Sequence, residues 1–177
     1  MLGRKPTLLD EDALFEYALK ALGARALPIS ELKRKLQRRA AEPKSIDAVM
    51  SRLKQHGYLN DRKYADSFTA SRKEGHGFGR ERVLRELHGK QVPRIVAEQA
   101  VKDAYDSSDE FTMADQFLQR KFRGKNLPEF LAVPKNLQAA FRRLRYAGYS
   151  SSITIRVLKQ YTGRAAEIDE SVEDGGV

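Results

Sequence analysis

Apolar residues recur along this chain at intervals of three and four, the spacing that gathers them on one face of an α-helix. Leu14, Tyr17, Ala18 and Leu22 predict a first helix, with Asp10, Glu11 and Asp12 at the end where negative charge is favoured and Gly23 as its stop. Pro28-Ile29-Ser30 opens a second helix, with Ser30 as N-cap and Leu32 and Leu36 facing inward. Pro43 opens a third, whose inward positions are Ile46, Val49, Met50 and Leu53. Gly57 ends it, because glycine reaches a left-handed backbone conformation without a Cβ clash. Tyr58 and Leu59 then turn back on the core, and Asn60 or Asp61 caps a further helix in which Tyr64, Ala65 and Phe68 face inward. The run Ile153-Thr154-Ile155-Arg156-Val157 has the composition of a strand, yet Tyr149, Ile153 and Val157 keep a helical spacing, so a helix is predicted there too.

The pattern repeats. Tyr64-Ala65-Asp66-Ser67-Phe68 returns 49 residues later as Met113-Ala114-Asp115-Gln116-Phe117, and Leu87, Val92, Val96 and Ala100 return 57 residues later as Leu144, Tyr149, Ile153 and Val157. A looser first copy carries Leu36, Ile46 and Met50. Three helices in roughly 50 residues, three times over, are the mark of a repeat array. A unit of that size buries little surface alone and leans on its neighbour. The expected fold is therefore all-α: three tandem three-helix repeats forming an elongated, curved array. The expected divisions are a flexible arm at 1–9, repeats at 10–60, 61–109 and 110–163, and an acidic disordered tail at 164–177. Asp106-Ser107-Ser108-Asp109 punctuates the second break, and residues 124–134 read as an irregular connection inside the third repeat.

Composition narrows the classes. The chain has 177 residues, no cysteine and no long apolar run, which excludes a disulfide framework and thiol chemistry and leaves nothing to span a membrane. No apolar stretch follows the basic start, so no secretory signal is expected and the cytoplasm is the expected location. The 33 Lys and Arg against 24 Asp and Glu give a net charge of +9, and five of those acids lie in residues 164–177. The body is correspondingly more basic, suited to a polyanion or an acidic protein surface.

Catalytic chemistry is hard to find. His56, His76 and His88 have no metal-ligand spacing with one another or with carboxylates, so no metal and no cofactor are expected. Gly75-His76-Gly77-Phe78-Gly79 lacks the order of a phosphate loop and follows a helix rather than a strand, so it reads as a helix–helix turn anchored by Phe78. No nucleophile–base order or isolated carboxylate pair stands out, and an enzyme is not expected.

Cationic helix faces stand out instead. They are Lys33, Arg34, Lys35, Arg38 and Arg39 in the first repeat, Arg80, Arg82 and Arg85 in the second, and Arg142, Arg143 and Arg145 in the third. Such residues also serve simply as a solvated outer face. Acids balance them poorly at the ends: residues 110–163 hold ten Lys and Arg against three Asp and Glu, whereas residues 61–109 hold ten against nine. Tyr58, Tyr64, Phe78 and Tyr149 occupy apolar-periodic or turn-anchor positions, which predicts core packing rather than base stacking.

Three strings carry a family resemblance. They are Tyr58-Leu59-Asn60-Asp61-x-x-Tyr64-Ala65-x-x-Phe68-x-x-Ser71-Arg72, then Gly77-Phe78-Gly79-x-x-x-Val83-x-x-Glu86-Leu87, then Phe141-x-x-x-Arg145-x-x-Gly148-Tyr149. Together they resemble the RecX family of bacterial recombination regulators, over most of residues 12–161. Arg80 stands where family members often carry a proline, and Asn60 where an acid is frequent. The resemblance implies three tandem three-helix repeats and no catalytic residues. It implies a monomer that binds the RecA recombinase along the groove of the RecA–DNA filament, bridges subunits, and suppresses strand exchange, ATP hydrolysis and co-protease action.

On charge and position, the candidate contacts to RecA and DNA are Arg72, Lys73, Arg80, Arg82 and Arg85 around the central turn and Arg142, Arg143 and Arg145 in the last repeat. Weak, non-specific DNA binding accompanies this reading. Two other classes remain open at this level. Residues 29–59 also match the spacing of a helix-turn-helix or winged-helix transcriptional regulator, which needs a β-hairpin after Leu59. A helical scaffold without either activity is the third. The acidic tail reads as a solubilising end or as a screen over the basic body.

Overall fold

The computed structural model describes residues 8–162, and among these all the regular elements are helical. The α-helices, in order, are α1 (Glu11–Ala24), α2 (Ile29–Gln37), α3 (Pro43–Gln55), α4 (Asp61–Ala70), α5 (Arg80–Gly89), α6 (Arg94–Tyr105), α7 (Glu110–Lys121), α8 (Leu127–Leu131), α9 (Pro134–Ala147) and α10 (Ser151–Lys159), with a π-helical turn over Ser71–Gly75 between α4 and α5. The hairpin that a winged helix needs after Leu59 is not formed, because α4 occupies that place. The residues assigned to the acidic tail, and the first seven of the arm, lie outside the described residues.

The chain forms two compact units. Among the described residues, one comprises those up to Ser67 with Leu87–Ala100, the other Phe68–Glu86 with those from Val101 onward. The middle helices α4, α5 and α6 thus contribute residues to both.

In the first unit, the core is Leu14, Phe15 and Ala18 of α1, Leu27, Leu32 and Leu36 around α2, and Ile46, Val49 and Leu53 of α3. Removing a side chain such as Leu32 from water contributes about 2 kcal/mol, and this burial outweighs the modest intrinsic propensity of short helices. Asp10 caps α1 by accepting from the Ala13 N–H at 3.0 Å. The helix runs one residue past Gly23 and leaves through an extended Arg25, so the expected stop is displaced. Ser30 is not the N-cap of α2: it lies inside the helix, and its hydroxyl donates to the Lys90 carbonyl at 2.7 Å. The Ile29 N–H at the start of α2 is satisfied instead by Asp61, at 2.9 Å. Asp61 being so engaged, Asn60 is the residue that caps α4, accepting from the Lys63 N–H at 2.8 Å. The expected loose arm is fastened at its last residue. The Leu9 N–H donates to the Arg39 carbonyl at 2.7 Å, and the Leu9 carbonyl accepts from the Ala41 N–H at 2.8 Å.

Three helix ends share one device. At α3, Gly57 is left-handed (φ 71°), and the N–H groups of Gly57 and Tyr58 bond back to the carbonyls of Lys54 and Leu53. At α9 the same pair of bonds runs from Gly148 (φ 95°) and Tyr149 to Arg145 and Leu144. At α5 it runs from Gln91 and Val92 to His88 and Leu87, with Gln91 left-handed at φ 57°. Tyr58 departs from expectation. It is 52% exposed, because Leu59 takes the inward position at this corner.

In the second unit, Ala114, Phe117 and Leu118 of α7 pack with Leu137, Ala140, Phe141 and Leu144 of α9 and Val157 and Leu158 of α10. Asp109 caps α7 through the Phe111 N–H at 3.0 Å, and Ser150 caps α10 through the Ile153 N–H at 3.3 Å. The stretch expected to be irregular at 124–134 contains α8, whose Leu127 and Leu131 enter this core. Two leucines four apart give a single helical turn one buried face. Tyr149 and Tyr64 are buried as expected, and Phe78 packs against the core of the second unit.

Candidate binding surface

The candidate cations all fall in the second unit, and most of them surround one turn. Residues 76–79 leave the π-helical turn and enter α5. Three consecutive carbonyls here are satisfied by side chains. Arg120 of α7 donates to His76 at 3.1 Å, Tyr149 donates to Gly77 at 2.7 Å, and Tyr105 of α6 donates to Phe78 at 2.6 Å. Burial pushes both tyrosine phenols far above their ordinary range, so each remains a donor. The Gly79 N–H donates to the Ala147 carbonyl at 2.8 Å, and the Glu81 N–H to the Gly148 carbonyl at 3.2 Å. The two backbones pass so closely that a Cβ on Gly79 would overlap the Gly148 carbonyl, and one on Gly148 would overlap Arg82. The turn is a helix–helix corner, as its residue order predicts, and Gly79 is the glycine in it that serves close backbone approach.

Around this corner the structure sorts the cations into two sets. The first set is engaged internally. Arg72 and Arg82 both donate to Glu86, at 2.8 and 2.9 Å. Partial burial works to raise the Glu86 carboxyl, but hydrogen bonds from Arg82 and Arg72 outweigh it and hold the group below its ordinary value. Arg72 also lies over Phe68, and Lys73 donates to the Ala104 carbonyl at 2.6 Å. Arg80 is ion-paired with Glu110. Arg145 reaches Glu81 at 3.1 Å and donates to the Tyr149 carbonyl.

The second set is outward. Arg85, Arg142 and Arg143 are exposed and have no ion pair among the described residues; Arg143 lies 5.3 Å from the centre of the Phe122 ring. By charge and position in the sequence, all eight cations look alike. Spacing alone could have separated one, since Arg82 and Glu86 stand four apart on α5.

Two further residues belong to this surface. Arg120 braces the turn as described. Tyr146 is 73% exposed, and the guanidinium of Arg82 lies 4.9 Å from its ring centre. The signal was available, because Tyr146 falls off the buried stripe of Leu137, Ala140, Phe141 and Leu144. In the first unit, Tyr17, Lys35, Arg38 and Arg39 line a shallow cavity of about 300 Å³, with Arg39 5.5 Å from the Tyr17 ring centre. Lys33, from the same cationic run, pairs with Asp47 at 3.3 Å.

Among the described residues no group of three or more His, Asp or Glu is arranged to hold a metal, and no helix is long and apolar enough to cross a membrane. The second unit thus presents a braced corner with exposed guanidiniums and an exposed ring.

The chain resembles known proteins over most of its length. Residues 60–101 match the family description "RecX, second three-helix domain". The chain is 34% identical over 147 residues to the Regulatory protein RecX of Ectopseudomonas mendocina, covering 83% of this chain and 93% of that one. It is 32% identical over 145 residues to the Regulatory protein RecX of Vibrio parahaemolyticus, covering 82% and 86%. The crystal structure of RecX from Lactobacillus salivarius has the same fold, with a TM-score of 0.70 at 16% identity over 85% of this chain and 96% of that one. Identity at this level over most of both chains, with the same helical architecture, establishes that this chain belongs to the RecX family of regulatory proteins.

Proposed function

We propose that this protein is a negative regulator of the RecA recombinase. In this reading it binds along the groove of the RecA–DNA filament and suppresses strand exchange, ATP hydrolysis and co-protease activity. Its family membership over most of the chain is the observation that carries the reading. The exposed guanidiniums of Arg85, Arg142 and Arg143 support it, because an acidic protein groove and DNA phosphates are partners for unpaired cations. Arg72, Lys73, Arg80, Arg82 and Arg145 belong to the same surface and hold its shape.

The protein acts as a monomer without catalysis of its own, in the cytoplasm where its partner works. Three three-helix repeats, at 10–60, 61–109 and 110–163, contact successive RecA protomers, so that individually weak contacts add through effective concentration. Direct binding to DNA is weak, non-specific and salt-sensitive.

The test is RecA-catalysed ATP hydrolysis and strand exchange, with this protein titrated in at two salt concentrations. Suppression of both at substoichiometric or equimolar ratios is expected, weakening as salt rises. Full RecA activity at saturating protein overturns the reading. Sequence-specific duplex binding by the protein alone would point instead to a transcriptional regulator.

A further inference from the structure

Arg82 is used on two sides. Its Nε donates to Glu86 at 2.9 Å, and Glu86 is itself held by Arg72. Its guanidinium lies 3.7 Å from the ring centre of Phe78 and 4.9 Å from that of Tyr146. An edge committed to a carboxylate and a plane committed to aromatic rings leave Arg82 little with which to capture an acidic partner. What it does is seat Tyr146. That ring is 73% exposed, yet it rests against a guanidinium that is itself fixed, so its orientation is set before anything binds.

The charge left without an ion pair around the ring, among the described residues, is of one sign. Arg142 and Arg143 precede Tyr146 by four and three residues on α9, the spacing of helix-surface neighbours, and Arg85 follows Arg82 by three on α5. All three are exposed without an ion pair among the described residues, whereas the nearby acids Glu81 and Glu86 are engaged by Arg145, Arg72 and Arg82.

We propose that Tyr146 is a stacking platform for a base of single-stranded nucleic acid, with Arg142, Arg143 and Arg85 meeting the flanking phosphates. An open aromatic face among unpaired guanidiniums is how proteins hold single strands without reading their sequence, because every base has a flat face and every nucleotide a phosphate. A duplex keeps its bases stacked inside and offers none to the ring. An acidic peptide would satisfy the guanidiniums and leave the ring unused. The inference deepens the weak DNA contact of the proposed function and rests on that reading for its biological setting.

The experiment needs no RecA. The full chain, Y146A and Y146W are titrated with a fluorescent oligothymidylate of about 15 nucleotides. The same titrations use an abasic strand of equal length, the corresponding duplex and a polyglutamate peptide. The wild-type protein should bind oligothymidylate about tenfold more tightly than the abasic strand, a preference of the size one stacked base supplies. Y146A should erase that preference while keeping both the abasic affinity and the salt dependence. Y146W should restore it. The introduced indole, the sole tryptophan in a chain that otherwise has none, should be quenched by oligothymidylate and not by the abasic strand.

Equal affinity of the wild type for thymidylate and abasic strands, an unchanged preference in Y146A with native circular dichroism, or quenching by polyglutamate instead would each overturn the inference. A parallel RecA ATPase titration separates the two readings. Suppression by the wild type without a base preference removes the stacking platform alone, and a base preference without suppression removes the filament reading alone.

Discussion

Tyr149 donates its hydroxyl hydrogen to the carbonyl of Gly77 at 2.7 Å, across 72 residues of chain and in a fully buried setting. The bond joins the end of α9 to the turn before α5. Y149F removes the donor, keeps the ring, and leaves a buried carbonyl without a partner. The expected loss is about 1–3 kcal/mol of unfolding free energy. Urea denaturation of the two proteins measures it, and a difference below about 0.5 kcal/mol would show that the carbonyl finds another donor.

Gln91 adopts the left-handed conformation that Gly57 and Gly148 adopt at the corresponding ends of α3 and α9. A side chain there costs about 1–2 kcal/mol, partly offset by the greater freedom glycine has when unfolded. Q91G is therefore expected to stabilise the protein by about 0.5–1 kcal/mol and to raise its melting temperature by a few degrees. Scanning calorimetry checks this.

Glu86 carries a pH dependence. Its carboxyl is held below the ordinary value of 4.5 in the folded state, against the opposing effect of partial burial, by Arg82 and Arg72. A group depressed on folding contributes stability that is fully present above its unfolded value and is lost as pH falls through the folded one. The protein should therefore weaken below about pH 4.5, and E86Q should show a shallower acid limb in melting temperature against pH. Parallel limbs would mean that other carboxylates dominate.

Arg82 and Arg85 stand one helical turn apart on α5 and should part company on substitution. R82A removes contacts with Phe78, Tyr146 and Glu86 and is expected to cost about 1–2 kcal/mol of stability. R85A should change stability by less than about 0.5 kcal/mol. Charge reversal at Arg85, Arg142 and Arg143 together should weaken binding to RecA filaments several-fold at low salt, with the gap from wild type closing as salt rises. Anisotropy with labelled filaments measures it, and unchanged affinity would remove these residues from the interface.

The hydroxyl of Thr154 is buried in α10 with no hydrogen-bond partner among the described residues. T154V keeps the shape and removes the unsatisfied group, and should stabilise by about 1 kcal/mol. A loss of stability would indicate that the hydroxyl is paired in solution.

The helices were largely legible in the residues, because a buried stripe must repeat every three or four positions whatever it packs against. Pro43, Gly57, Asn60 and Asp109 marked helix ends for local reasons and act as such. What was not legible depends on distant chain. Nothing near Ser30 says that Asp61 will satisfy the start of α2, and nothing near Leu9 announces Ala40. The surface suffers most from this. Arg145 reads as an exposed cation until Glu81 arrives, 64 residues away, and Arg80 until Glu110 does. A sequence gives the number of charges on a face; only the packed chain says which are already spoken for.

The string Gly75-His76-Gly77-Phe78-Gly79 has the composition engineers choose for a pliable spacer, and in isolation it would be one. Here three successive carbonyls are clamped by Arg120, Tyr149 and Tyr105, and the last glycine abuts Gly148. A protease site, an epitope or a fluorophore graft inserted at this spot would part helices that are joined nowhere else in sequence. Anyone wishing to label the protein without harm should choose another corner, for the softest-looking segment of the unit is its buckle.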